Sequence, residues 1–291
     1  MVCLLAVTAF ALLVAPATPP RPRILGISHV ALRVSSVPAA RAFYEEFLGL
    51  RGLRVNAKQH VELASGLLPD QDRLERIAFE TEDAEGLRRY LASRGVEVPA
   101  SVDGDEAGRR FVVSDPDGHA VEFVQPSRAG RRALEPGDRG GARVSERILH
   151  LGIIVGDVPA SMKFYGDVLG FVETWRGSRA GTELSWINVR VPDGADYVEF
   201  MLYGEKPAPN ARGTQHHICL EVADLPRAQA LLEARPYRAS YTRPLEPRVG
   251  TNRKRQLNLY DPDGTRVELM EPGTVDSQPV PSSTAPPPRH P

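Results

Sequence analysis

The chain has 291 residues, a formal charge of −1 from 36 Lys+Arg against 37 Asp+Glu, and 42% hydrophobic and 25% charged residues. That length fits two domains of ordinary size. The balanced charge excludes nucleic acid as a partner, since no positive surplus exists to neutralise a phosphate backbone, and the composition excludes a wholly disordered, collagen-like or polytopic membrane chain. Proline alone departs from the norm: 11 of the 26 prolines lie in two end segments, Pro16–Pro22 and Pro272–Pro291.

Val2 to Ala15 is an uncharged, mostly apolar run followed by the small-x-small triplet Ala15-Pro16-Ala17. Residues 1–17 therefore read as a secretory signal peptide and 18–23 as a Pro-rich leader. The expected destination is the periplasm or the exterior. The run is short for a span of about 20 residues, so a membrane tether applies only if it stays uncleaved, and a cytoplasmic protein only if the start codon is misplaced. Export removes Cys3, and Cys219 alone forms no internal disulfide.

The body is an internal repeat. HVALRVSSVPAARAFYEEFLGL from His29 matches HLGIIVGDVPASMKFYGDVLGF from His150 at an offset of 121. RIAFETED from Arg76 matches HICLEVAD from His217 at 141, and the DPDG segments at Asp115 and Asp261 match at 146. One duplication of this length means tandem modules rather than a solenoid. The first module is expected at 24–125, the Arg/Gly/Pro-rich linker at 126–146 and the second module at 147–272. In the second module, Leu149–Val155 alternates as a strand, Asp157-Val158-Pro159 opens a helix, and Gly170 stops it. Strands are expected at Leu184–Val191 and Tyr197–Tyr203. The order then repeats with strand His217–Val222, helix Pro226–Ala234 and strands at Gln256–Tyr260 and Arg266–Met270. Residues 273–291 have almost nothing to bury and read as a disordered Pro-rich tail, with no role for His290.

The H-x-[AG]-[LI]-x-V starts, the FYxxxLG helices and the two DPDG strand pairs resemble the vicinal oxygen chelate superfamily of glyoxalase I, methylmalonyl-CoA epimerase, extradiol dioxygenases and bleomycin-resistance proteins. The resemblance covers about 24–272. It implies an α+β fold of two tandem modules, each a pair of βαβββ units forming a half-open, cup-shaped sheet.

Alternation along such a sheet separates cup-facing from helix-facing residues. His150, Glu199 and Glu268 each stand between apolar neighbours and His217 stands beside Ile218, with His217 preferred over His216 because the repeat and the parity of Cys219 select it. In glyoxalase-like and epimerase-like members these four strand positions carry the metal ligands. Two imidazoles and two carboxylates suit one divalent ion among Fe, Mn, Ni, Co and Zn. In the first module His29, Glu62 and Glu122 match, but Arg76 replaces the second histidine. A guanidinium cannot ligate a cation, so Arg76 is expected to bond Glu122 and plug a degenerate cup. His60 and His119 are expected to be solvated in loops or turns. Parity puts Trp186, Asn188 and Arg190 on one cup row and Asn258 on another, as candidate contacts to a small substrate with vicinal oxygens, Arg190 holding an anion.

Two reaction types remain open, both implied by the resemblance. The first is lyase or isomerase proton transfer with Glu199 or Glu268 as base. The second is Fe(II) extradiol ring cleavage using His150, His217 and Glu268, with Tyr260 as a further catalytic residue. A bleomycin-resistance-like protein that binds without turnover is the third reading. The oligomeric state is left open.

Overall fold

The computed structural model describes residues 19–133 and 143–289. The expected signal peptide, residues 134–142 of the linker and His290 lie outside these. Among the described residues no helix is long and apolar enough to cross a membrane.

The first module contains β1 (Ile24–Val34), β2 (His60–Ser65), β3 (Leu74–Thr81), β4 (Asp103–Asp105), β5 (Gly108–Ser114) and β6 (Ala120–Pro126), in one sheet of order β2-β1-β3-β6-β5-β4. The second contains β7 (Ile148–Val155), β8 (Val172–Gly177), β9 (Trp186–Arg190), β10 (Tyr197–Leu202), β11 (His217–Glu221), β12 (Arg248–Val249), β13 (Lys254–Tyr260) and β14 (Arg266–Thr274), in the order β12-β13-β14-β11-β7-β10-β9-β8. The first module lacks counterparts of β8 and β9. Its strand β2 pairs parallel to β1 as β10 pairs parallel to β7, which puts Glu62 and Glu199 at equivalent places opposite Ala31 and Gly152.

The helices form where the sequence signals them. Asp157 caps Val158–Ser161 by accepting from the Ala160 amide, and the helix continues π-wound through Met162–Val168, burying Phe164, Tyr165 and Val168. Gly170, at φ +81, ends it. Ser36 caps the equivalent helix Val37–Arg41, which continues through Ala42–Phe47 and buries Phe43, Tyr44 and Phe47. Asp83 and Asp224 cap Ala84–Ser93 and Leu225–Glu233. The buried helix faces and the helix-facing strand residues make one continuous core across both modules.

The modules are cross-linked reciprocally. Tyr44 of the first donates to Asp261 of the second at 3.2 Å, and Tyr165 of the second donates to Asp115 of the first at 2.9 Å. The Ser35 and Gly156 amides, again one repeat apart, donate to Asp263 and Asp117 at 3.0 and 3.1 Å. The FY tyrosine and the DPDG turn of each copy thus meet the turn and the tyrosine of the other. Burial pushes both tyrosine hydroxyls well up, and the facing aspartates add to it, so both remain donors.

The tail corrects an expectation. After a turn at 275–277, residues 278–289 run without helix or strand and are docked: Ser283 donates to the Arg176 carbonyl at 2.9 Å, Leu184 donates to the Pro286 carbonyl at 2.8 Å, and Ala285 packs on the core. The prolines lack donors, but their carbonyls and the remaining amides cover the open edge of β8, which would otherwise present unpaired backbone groups.

Candidate metal centre

The four central strands of the second sheet, β10-β7-β11-β14, each bring one candidate ligand to the cup face. Strand β7 is buried along its whole length, and it carries His150 and Gly152 inward. Gly152 pairs with both Glu199 and His217, and Cys219 pairs with both His150 and Glu268. Gly152 and Cys219 thus occupy equivalent places about a local two-fold, each between a histidine and a glutamate. A Cβ at 152 would lie 2.0 Å from His217 Nδ1, so the missing side chain is the space that the imidazole fills. The sequence reading passed over this glycine, although its signal was present in His-Leu-Gly beside the His-Val-Ala of the first copy.

His150 Nε2 and His217 Nε2 stand 2.9 Å apart. Glu199 Oε2 is 3.8 and 3.5 Å from these two nitrogens, and Glu268 Oε2 is 3.6 Å from each. Ligands about 2.1 Å from a shared ion are separated by about 3.0 Å at a right angle and about 3.4 Å at a tetrahedral one. The donors therefore already have the spacing of a coordination sphere. Their chemistry fits too: burial pushes both imidazoles down, so both are neutral. Burial drives both carboxyls upward. At Glu268 this is outweighed by the His217 hydrogen bond and the Arg266 charge, and the group stays ionised. Glu199, facing that charge, is pushed up to about 8. The buried Cys219 thiol is also a candidate donor beside His150 and Glu268. Burial and both glutamates push it well up, so it stays protonated and is a weak ligand. His150 stacks on Tyr197 at 4.6 Å, as His29 stacks on His60 at 4.8 Å.

The first cup holds the same places filled differently. Arg76 Nε donates to Glu122 at 2.9 Å, its Nη2 bonds Glu62, and His29 Nε2 lies 3.0 Å from Glu122. The Arg76 guanidinium lies between the two carboxylates of this cup, bonded to both. Two other expectations about histidines fail. His60 begins β2 and bonds Glu62 at 3.3 Å. His119 is buried at the module junction, 2.8 Å from Asp115 and 3.2 Å from His216 Nε2, with His216 bonded onward to Asp72 at 3.1 Å. His216 therefore faces the other module, away from the centre.

A cavity of about 410 Å³ opens beside the centre, lined by Trp175, Trp186, Gln256, Arg179, Arg248 and Arg266 together with Glu199 and Glu268. Asn188 pairs with Glu199 and Asn258 with Glu268. The buried Oδ1 atoms of both asparagines have no protein partner. Arg190 does not reach the cup: its guanidinium caps the Gly194 carbonyl of its own hairpin at 3.1 Å. Tyr260 is also displaced. It pairs with Arg266 rather than Glu268, lies outside the cavity lining, and its ring is covered by the Arg243 guanidinium at 4.3 Å.

Residues 26–123 and 147–269 match the family model of the glyoxalase/bleomycin resistance protein/dioxygenase superfamily. The chain belongs to this superfamily. Metapyrocatechase 2 of Cupriavidus necator is 30% identical over 237 residues, 72% of this chain and 69% of that protein. The uncharacterised protein YaeR of Escherichia coli K12 is 31% identical over 133 residues, 43% of this chain and 96% of that one. Among solved structures, the 2,3-dioxygenase LapB of Pseudomonas sp. KL28 superposes with a TM-score of 0.65 at 19% identity, covering 90% of this chain and 98% of that one. A variant of homoprotocatechuate 2,3-dioxygenase from Brevibacterium fuscum gives 0.63 at 20% identity, covering 88% and 73%. These superpositions show a shared two-module vicinal oxygen chelate fold.

Proposed function

We propose that the second module binds one divalent ion, Fe(II) in the working enzyme, and cleaves the ring of an aromatic vicinal diol with dioxygen. The observation that carries this is the two-histidine, one-carboxylate set of His150, His217 and Glu268, whose second histidine is Arg76 in the first copy, in a two-module chain that is 30% identical to metapyrocatechase 2. Such a set holds Fe(II) with open positions on one face. The ion supplies Lewis acidity and a place for two neighbouring oxygens. The protein's own groups do the rest. Trp175 and Trp186 wall the cavity for an aromatic ring, and the unpartnered amide oxygens of Asn188 and Asn258 lie on the strands beside Glu199 and Glu268, outside the cavity lining itself. Glu199, lifted by burial and by Glu268, is placed to hold or pass a proton.

One observation favours a second reading. Glu199 stands within 3.5 Å of His217 Nε2, so a fourth donor completes the His-Glu-His-Glu set of glyoxalase-like members, in which a carboxylate moves a proton on an enediol-type substrate. The deciding experiment supplies Fe(II)-loaded protein with catechols under oxygen. Oxygen uptake with a yellow ring-opened product supports ring cleavage. Solvent deuterium entering an α-hydroxycarbonyl substrate without oxygen uptake supports proton transfer, and tight diol binding with neither overturns both enzymatic readings.

A further inference from the structure

We infer that the substrate of the second cup carries an anionic group of the carboxylate class beyond its two neighbouring oxygens, and that Arg179, Arg248 and Arg266 recognise it. This deepens the diol reading and rests on it.

The charge lining the cavity is the first observation. Three guanidiniums face two carboxylates, and the two are the ligands Glu199 and Glu268. A divalent ion cancels those two, leaving three positive charges on the wall of a cavity in a chain whose overall charge is −1. Nearby arginines are spent on carboxylates, Arg212 on Asp72, Arg253 on Asp276 and Arg255 on Glu271. The three in the cavity form no such ion pair among the described residues. Arg179 instead lies over the Trp186 ring, 5.4 Å from its centre, an aromatic face that holds a guanidinium in place without neutralising it.

Arg266 adds a second argument. Its Nη2 is 2.8 Å from His217 Nδ1, while the same Nδ1 is 2.7 Å from the Gln215 carbonyl. A guanidinium only donates. Once His217 Nε2 takes a cation, Nδ1 keeps its hydrogen and donates to Gln215, so the Arg266 contact loses its acceptor. Arg266 Nε is buried and already without a partner. Metal loading thus leaves this guanidinium with unspent donors at the cavity wall, next to the ion that would hold the diol oxygens.

The first module provides a comparison inside the same chain. At the offset of 146, Ala120 stands where Arg266 does. Arg110, the counterpart of Gln256 at the same offset, pairs with Asp103, whereas Gln256 pairs with Arg248. Arg179 lies between β8 and β9, strands that the first module lacks. The three positive charges accompany the intact donor set and are missing from the plugged cup.

The test is calorimetric binding to full-length protein loaded with Zn(II), which does not turn over. The paired probes are 3,4-dihydroxybenzoate and its neutral methyl ester. Charge-assisted bonds to a carboxylate predict that the acid binds at least about tenfold more tightly than the ester. Arg179→Gln combined with Arg248→Gln, at exposed positions, should bring the ratio towards one with metal content unchanged, and Arg266→Gln should lower it further. Equal affinity for acid and ester overturns the inference while leaving the diol reading intact, as does a preference that survives all three substitutions. Binding of neither probe to metal-loaded protein overturns the diol reading, and the inference falls with it.

Discussion

Gly152→Ala should abolish metal binding while leaving the fold in place. The glycine lies in the middle of β7, and the added Cβ would lie 2.0 Å from His217 Cε1 and Nδ1 and 2.9 Å from the Gln215 carbonyl oxygen. Ordinary contact needs about 3.4–4 Å, so the imidazole must retreat by about 1.4 Å or more. Metal–ligand distances tolerate errors of about 0.2 Å, and the retreat carries His217 away from the nitrogen 2.9 Å away on His150. Disturbing groups that only support a ligand already costs about 10–100-fold in affinity, so displacing a ligand itself should cost more than about 100-fold. Gly152 has no positive φ, so alanine strains no dihedral angle, and crowding the buried imidazole and the Gln215 carbonyl should lower metal-free stability by about 1–3 kcal/mol without unfolding the chain. Metal content after dialysis and a titration with Zn(II) read the effect. Wild-type affinity and stoichiometry in Gly152→Ala would refute the argument that this absent side chain makes room for the ligand.

Three further outcomes are expected. Wild-type protein should bind one ion per chain, and Arg76→His should raise this to two, measured by elemental analysis, because it removes the guanidinium bonded to Glu62 and Glu122 and restores a donor. Asp261, buried and pushed up to about 6 from 3.8, holds its proton more tightly folded than unfolded. Its contribution to stability should therefore be lost as pH rises from about 4 to about 6, by up to about 3 kcal/mol, read in denaturant titrations as the pH dependence of the difference between wild type and Asp261→Asn, which keeps the Oδ1 bonds to Asp263 and Thr265. Tyr165→Phe should cost about 1.5–3 kcal/mol in the same assay, the worth of a hydrogen bond to a charged group, since it removes the bond to Asp115 and no packing atoms of the ring.

The donor set was legible because strand parity is a local rule: His150, Glu199 and Glu268 each alternate with apolar neighbours, His217 shares the parity of Cys219 against Ile218 and Leu220, and hydrogen-bonded strands then place the four together. The same rule predicted a cup-facing Arg190 and failed, because a long side chain at a strand end can turn to a nearby backbone carbonyl, here that of Gly194, four residues on. Tyr260 failed for a related reason, lying one pleat repeat beyond the ligand and meeting Arg243 instead. His119 was misplaced because its partner His216 belongs to the other module, and a sequence offers no measure of how copies dock. The tail was misread since low apolar content excludes a core but not the covering of a strand edge.

The crossed contacts of Tyr44 with Asp261 and Tyr165 with Asp115 bear on the history of the duplication. Each copy supplies the buried partner of a turn in the other, so neither can be deleted without stranding a hydroxyl or a carboxylate inside the other. Such an exchange works as a ratchet: once the copies depend on each other, they can diverge only where they do not touch. The two cups are such places, and one has exchanged its histidine for Arg76. The tyrosines and aspartates are not, and all four stand unchanged in both halves of the chain.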